Sequence, residues 1–162
     1  MLKLWIAIMF CLTSTQMGFA AASGGNSSSS SSDSGSYSNS MSEPQGPFAK
    51  AYQLIASKKY VEAYKELKSV DAPNKRDDLN NLLGFTARKS GNLEAAAKYY
   101  DKALEINPKH VGALQYQGEL FITLGKIEKA KQNLEKIGKI CWLFPCSEEK
   151  LLEVAIEKTS SN

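Results

Sequence analysis

The sequence predicts an all-α protein, a short right-handed α-solenoid of about three antiparallel helix pairs closed by a C-terminal capping helix. Three observations carry this expectation. Gly84, Gly91, Leu93 and Ala96 recur 34 residues later as Gly118, Gly125, Ile127 and Ala130. Between these markers the apolar residues fall at helical spacing, and glycine or proline stands where each helix has to end. A period of 34 with small residues at fixed offsets marks stacked helix-turn-helix units, each of which buries its apolar face only against a neighbour.

The chain has 162 residues, 43% of them apolar, with a formal net charge of +3. That excludes a collagen-like, a wholly disordered or a multi-span membrane protein. The composition is uneven along the chain. Residues 1–22 carry one charge, Lys3, then the apolar run Leu4 to Leu12, a polar stretch, and Ala20, Ala21 and Ala22. This is the layout of a secretory signal peptide, with cleavage expected after Ala22 and Ala20 as the alternative. The nine-residue apolar run is far short of the ~20 residues a spanning helix needs, which argues against an N-terminal anchor. Met9 and Phe10 precede Cys11 where a lipoprotein signal has small residues, so Cys11 goes with the discarded leader. Twelve of the 20 residues from Ser23 to Ser42 are serine. Such a stretch has little to bury against the entropy of ordering it, and residues 23–47 are expected to form a disordered linker with a reach of ~28 Å. The folding unit is then 48–158, with 19 basic and 15 acidic residues and a charge of +4.

Within it, the unit 77–110 shows the physics best. Leu79, Leu82, Leu83 and Phe85 mark one broad helical face, and Asp77 and Asp78 suit the positive end of that helix. Gly91 supplies the left-handed residue that ends it, after Arg88 and Lys89 in the last turn. A second helix runs from about Asn92 to Ile106, and Pro108 stops it. Gly84 and Ala96 lack bulk where the two helices come closest, while Tyr100 and Ala103 reach toward the next unit.

These residues resemble the tetratricopeptide repeat family. Leu83, Gly84, Gly91, Ala96, Tyr100, Ala103 and Pro108 match its signature, and Leu114, Gly118, Phe121, Gly125, Ala130 and Leu134 match it again in the next unit. The repeats are expected at about 44–76, 77–110 and 111–144. The first is degenerate: Tyr60 and Ala63 match, but Ala51 and Lys58 stand where glycines are usual. Asn80 replaces a large apolar residue in the second, with Leu79 beside it to carry the contact. The C-terminal end resembles small secreted or periplasmic bacterial repeat proteins that close with a cysteine pair and an acidic helix.

That end reads CWLFPC, Cys141 to Cys146, then a helix at about 147–158 with Ser147 as its N-cap and Glu148 and Glu149 in its first turn. With Cys11 removed, two nearby cysteines in an exported chain make a disulfide the economical reading, worth ~2 kcal/mol for a loop of this size. The alternative, a thiol-redox protein using the same two cysteines, lacks both the two-residue cysteine spacing and the βαβ pattern of such centres. Metal binding is disfavoured by the single, distant histidine, His110. His110 itself sits at a repeat junction, where a solvated or helix-capping role is expected.

No phosphate-cradling loop or nucleophile elbow is present, the paired carboxylates all begin helices, and no cofactor, metal or catalytic residue is assigned. The chain is therefore read as a non-enzymatic interaction module, exported to a bacterial periplasm or otherwise outside the cell, with no nucleic-acid partner and no stable membrane insertion after leader cleavage. A self-assembling envelope protein is the second reading, and further copies of the chain are compatible partners. The family resemblance implies a concave groove that takes a peptide or partner helix, lined by Asp78, Asn81, Phe85, Arg88 and Lys89 and by Gln115, Glu119, Ile122 and Thr123. Asn81 and Gln115 would bond a peptide backbone, Phe85 and Ile122 offer apolar contact, and Arg88 with Lys89 meet a carboxylate. The paired lysines and asparagines of the family's carboxylate clamp are not reproduced.

Overall fold

The computed structural model describes residues 45–160. The expected leader at 1–22, and the serine-rich linker up to residue 44, lie outside the described residues. Among those described, the chain forms seven α-helices and no strand: α1 (Ala49–Ala56), α2 (Tyr60–Lys68), α3 (Arg76–Lys89), α4 (Leu93–Ile106), α5 (Val111–Thr123), α6 (Ile127–Ile140) and α7 (Ser147–Ser160). A 3-10 turn, Pro73–Lys75, leads into α3. No helix among the described residues is long and apolar enough to cross a membrane. The helices pack as sequential pairs, α1 with α2, α3 with α4 and α5 with α6, while α7 lies against α5 and α6. This is a short α-solenoid.

The turns inside the pairs are built alike. At the ends of α1, α3 and α5 the backbone N–H of Lys59, Asn92 and Lys126 donates to the carbonyls of Leu54, Ala87 and Phe121, at 2.8, 2.9 and 2.7 Å. That bond closes a helix end only when the preceding residue is left-handed. Gly91 and Gly125 supply this with φ of +85° and +70°, and Lys58 is forced to φ +58°. The degenerate first repeat keeps the turn and lacks the glycine. A Cβ in this region costs roughly 1–2 kcal/mol, partly offset by the extra freedom glycine has when unfolded. Lys58→Gly is accordingly expected to raise stability by about 0.5–1 kcal/mol in urea unfolding, and an unchanged or lowered midpoint would count against strain at Lys58.

The core runs as three linked clusters along the stack. Phe48, Ala51, Leu67, Leu82 and Leu83 bind α1, α2 and α3, with Leu79 packed against them in place of the polar Asn80. Ala87, Ala96, Tyr100 and Leu120 bind α3, α4 and α5. Leu114, Ala130, Ile137, Leu152 and Ile156 bind α5, α6 and α7. The two repeat glycines inside helices, Gly84 of α3 and Gly118 of α5, each make room for a side chain. A Cβ on Gly84 would lie 2.6 Å from the Tyr100 ring, and one on Gly118 would lie 2.6 Å from Leu152. The repeat therefore places glycine at equivalent positions for different partners, Tyr100 from the paired helix and Leu152 from the cap.

Two boundary details differ from the expectation. Ser147 is the first residue of α7 rather than its cap, and its hydroxyl meets the Glu148 carboxylate at 3.1 Å. Asn92 precedes α4 and caps it, accepting from the Ala95 N–H. Cys141 and Cys146 are joined as a disulfide, with Cα atoms 5.8 Å apart, at the junction of α6 and α7.

Candidate interaction surface

Every residue expected to line a groove lies on α3 or α5, which pack against each other across the α3–α4–α5 part of the stack. The structure brings most of them into one connected cluster. Arg88 Nη2 donates to Glu119 Oε2 at 2.6 Å, and the Gln115 side-chain amide donates to the other oxygen of the same carboxylate. The Arg88 guanidinium lies 6.0 Å from the Phe85 ring centre and 5.8 Å from that of Tyr116, so one cation is shared by two aromatic faces and a carboxylate. Lys89, exposed, reaches over the outer side of Phe85 at 5.6 Å.

Aromatic rings extend this cluster in both directions. Phe85 stacks at a tilt on Tyr116 with centroids 4.9 Å apart, and meets Tyr60 of α2 edge-on at 6.1 Å. Tyr116 in turn lies 6.5 Å from Tyr100. Such pairs add about 0.5–1.5 kcal/mol beyond their buried area and hold the rings in fixed orientations. Tyr60 and Tyr116 were not among the expected groove residues. Tyr116 follows Gln115 directly, and the family resemblance assigned only one of these two adjacent positions to that face.

Burial sorts the expected residues into two kinds. Asn81 and Gln115 are buried, so they serve the helix interface more than solvent. Asp78, Phe85, Arg88, Glu119 and Ile122 are half-buried, and Lys89 and Thr123 are exposed. Gln115 directs its amide at Glu119, and Thr123 hydrogen-bonds back to the Glu119 carbonyl at 3.0 Å. Among the described residues, Asn81 Oδ1 and Arg88 Nε are buried without a hydrogen-bond partner, and the Tyr100 hydroxyl lies beside the guanidinium without a well-formed hydrogen bond. Burial, the largest influence on Arg88, disfavours its charge. Tyr100 and Glu119 more than reverse this and hold its pKa above the ordinary arginine value. Burial also pushes the Tyr100 phenol far up, so it stays protonated.

Asp78 belongs to a separate contact at the foot of α3. His110 precedes α5 and caps it, its Nδ1 accepting from the Ala113 N–H at 3.2 Å, while its Nε2 faces Asp78 Oδ1 at 3.1 Å. A neutral ring with its hydrogen on Nε2 satisfies both bonds. The histidine ties one repeat to the next as a structural link.

A second cluster lies on α2 and α4. Tyr64 and Tyr99 meet edge-on with centroids 6.0 Å apart and hydroxyls hydrogen-bonded at 3.1 Å, and Lys68 Nζ donates to the Tyr99 hydroxyl at 3.3 Å. The bond to Tyr99, then burial, push the Tyr64 phenol up to about 12. Burial, the largest influence on Tyr99, opposes ionisation, but Tyr64, Lys68 and Lys102 together bring it below the usual value. Tyr64, Tyr99 and Lys102, with Asn92, Glu94, Ala95 and Lys98, border a hollow of about 310 Å³, and Lys68 lies beside Tyr99 outside that lining.

Comparison with known proteins follows the same part of the chain. The tetratricopeptide repeat family matches at residues 78–110, and a second profile of that family matches at 99–132. Among curated relatives, the uncharacterized protein ycf37 of Pyropia yezoensis is 28% identical over 61% of this chain. A TPR repeat-containing protein of Methanocaldococcus jannaschii is 36% identical over 46% of it, and the photosystem I assembly protein Ycf3 of Rippkaea orientalis is 30% identical over 52%. The chain spans 61%, 13% and 55% of the lengths of these three relatives. Among solved structures, PcrH, crystallised in complex with the chaperone binding region of PopB, superposes with a TM-score of 0.56 at 17% identity. The match covers 67% of this chain and 87% of PcrH. These matches support tetratricopeptide repeats for residues 78–132 and the solenoid fold around them.

Proposed function

We propose that this chain is an exported, non-catalytic interaction protein whose α3–α5 face forms the floor of a groove for an extended peptide or a partner helix. The observation that carries this is the Phe85 and Tyr116 pair with Arg88 held over both rings. Rigid, half-buried aromatic rings beside a fixed cation resemble the anchor points that dominate binding in protein interfaces. Beneath these rings Asn81 Oδ1 and Arg88 Nε are a buried acceptor and donor with no hydrogen-bond partner among the described residues.

Within this groove Arg88 orients the rings through Glu119, and Lys89 at the exposed edge is the cation available to an acidic partner. Export is supported by the leader-like composition of residues 1–22 and by the Cys141–Cys146 disulfide, since disulfides persist in oxidising compartments. PcrH, of the same fold, was crystallised with a segment of another protein, which fits a peptide-binding role for this solenoid without naming its ligand.

The test is a peptide array or pull-down comparing the parent chain with Phe85→Ala and Lys89→Glu. Binding is expected to weaken at least tenfold in Phe85→Ala, and Lys89→Glu to lose acidic peptides selectively. Full retention in both variants would remove this face as the binding surface.

A further inference from the structure

The α6–α7 junction exposes a knuckle that the core does not explain. Cys141 is buried against Ile137 and Leu152, and the disulfide holds Cys146 in the same cluster. Between the two, Trp142, Leu143 and Phe144 are 78%, 60% and 79% exposed. With both ends of the loop tied into the core, these side chains cannot turn back into it. The two aromatic side chains alone present on the order of 300 Å² of apolar surface, which is the scale of a functional patch rather than of scattered surface residues.

The hollow on α2 and α4 has the opposite character. Tyr64, Tyr99 and Ala95 supply its aromatic and apolar lining, and Asn92, Glu94, Lys98 and Lys102 its polar rim. Glu94 is already paired with Lys98 at 2.7 Å and Lys102 is left as the further cation, and at about 310 Å³ the hollow suits a bulky side chain or two. The ammonium groups of Lys68 and Lys102 sit 5.9 and 6.0 Å from the centre of the Tyr99 ring.

We propose that the Trp142–Phe144 knuckle of one copy of the chain seats in the Tyr64 and Tyr99 hollow of a second copy. Charge complementarity favours this occupant. Glu148 and Glu149 begin α7 just beyond the knuckle and would face Lys68 and Lys102, while the knuckle's aromatic rings pack on the tyrosines and beside the lysines. The same carboxylates oppose an anionic lipid surface, the other occupant to which an exposed tryptophan points. The contact is between copies, because Trp142 and Phe144 are exposed and so are not seated in the hollow of their own chain. Knuckle and hollow are different surfaces, so the contact is heterologous and propagates into a ring or a chain.

Sedimentation velocity over a wide concentration range tests this with four samples of the purified chain. The parent is expected to associate reversibly. Trp142→Ser/Phe144→Ser and Lys68→Glu/Lys102→Glu should each weaken association at least tenfold. A mixture of the two variants retains one intact knuckle and one intact hollow, and should form a dimer that grows no further. All four substituted side chains are exposed, so circular dichroism and heating curves should match the parent. A parent that stays monomeric, association that survives either double substitution, or a mixture that fails to pair overturns the proposal. A parent that is monomeric in buffer but floats with phosphatidylcholine vesicles overturns it in favour of lipid.

Discussion

Tyr100→Ala is expected to lower stability by about 4 kcal/mol, read from denaturant unfolding, and to approach global unfolding under mild conditions. Aromatic truncation in a close-packed core costs 3–5 kcal/mol, and a domain of this size has only about 5–15 kcal/mol in total. Tyr100 is fully buried, fills the space beside Gly84, and touches Tyr116 of the following pair, so one side chain joins α4 to both α3 and α5. The reciprocal change, Gly84→Leu, drives a side chain into the ring and should cost about 3 kcal/mol or more, because the Tyr100 ring is enclosed and has no free end to swing away. Combining them provides the decisive measurement. Leucine at 84 then occupies the volume vacated by the ring, and the double variant should be at least 2 kcal/mol more stable than the two single losses predict when added. Simple additivity would show that the two residues do not share that space.

Leu152→Ala carries the second large effect, about 3 kcal/mol, with early loss of the α7 helical signal on heating. Leu152 is fully buried and its methyl groups lie where a Cβ on Gly118 would be, 2.6 and 2.7 Å away. Truncating it leaves a cavity between α5, α6 and α7 and exposes the apolar flank of α5. The disulfide keeps the start of α7 close to α6 even when this packing is weakened, so the loss should deepen when the bridge is reduced. An unchanged unfolding midpoint in Leu152→Ala would show that α7 is a dispensable appendage rather than the cap of the stack.

Helix positions were legible in the sequence because glycine, proline and capping side chains act locally. Gly91 and Gly125 end α3 and α5, Asn107 ahead of Pro108 ends α4, and Asn92 starts α4, all through backbone geometry within a few residues. Lys58 was visible as a departure from pattern, but that it takes the left-handed conformation anyway depends on α1 and α2 packing tightly enough to impose the turn. The interaction surface was less legible. Phe85, Arg88 and Glu119 were assigned to one face through the family resemblance, whereas the sharing of Arg88 with Tyr116 and Glu119 joins residues about 30 positions apart. Gln115 likewise reads as a free amide in sequence and is buried against Glu119 in the fold. The tyrosine pair on α2 and α4, at positions 64 and 99, left no sequence signal beyond two aromatic residues on successive second helices.

By itself the sequence determined that the chain forms paired helices at a 34-residue period, where the helices of the second and third repeats stop, and which cysteines lie close enough to join. Local dihedral preference and helical periodicity act over a few residues and need no partner. Only the tertiary structure decided which side chain each repeat glycine receives, Tyr100 or Leu152, which cation meets which rings, and which apolar residues stay outside the core. Those outcomes rest on volumes and charges brought together from distant segments, and equivalent positions in successive repeats acquire different neighbours because one repeat is followed by another repeat and the last by a cap.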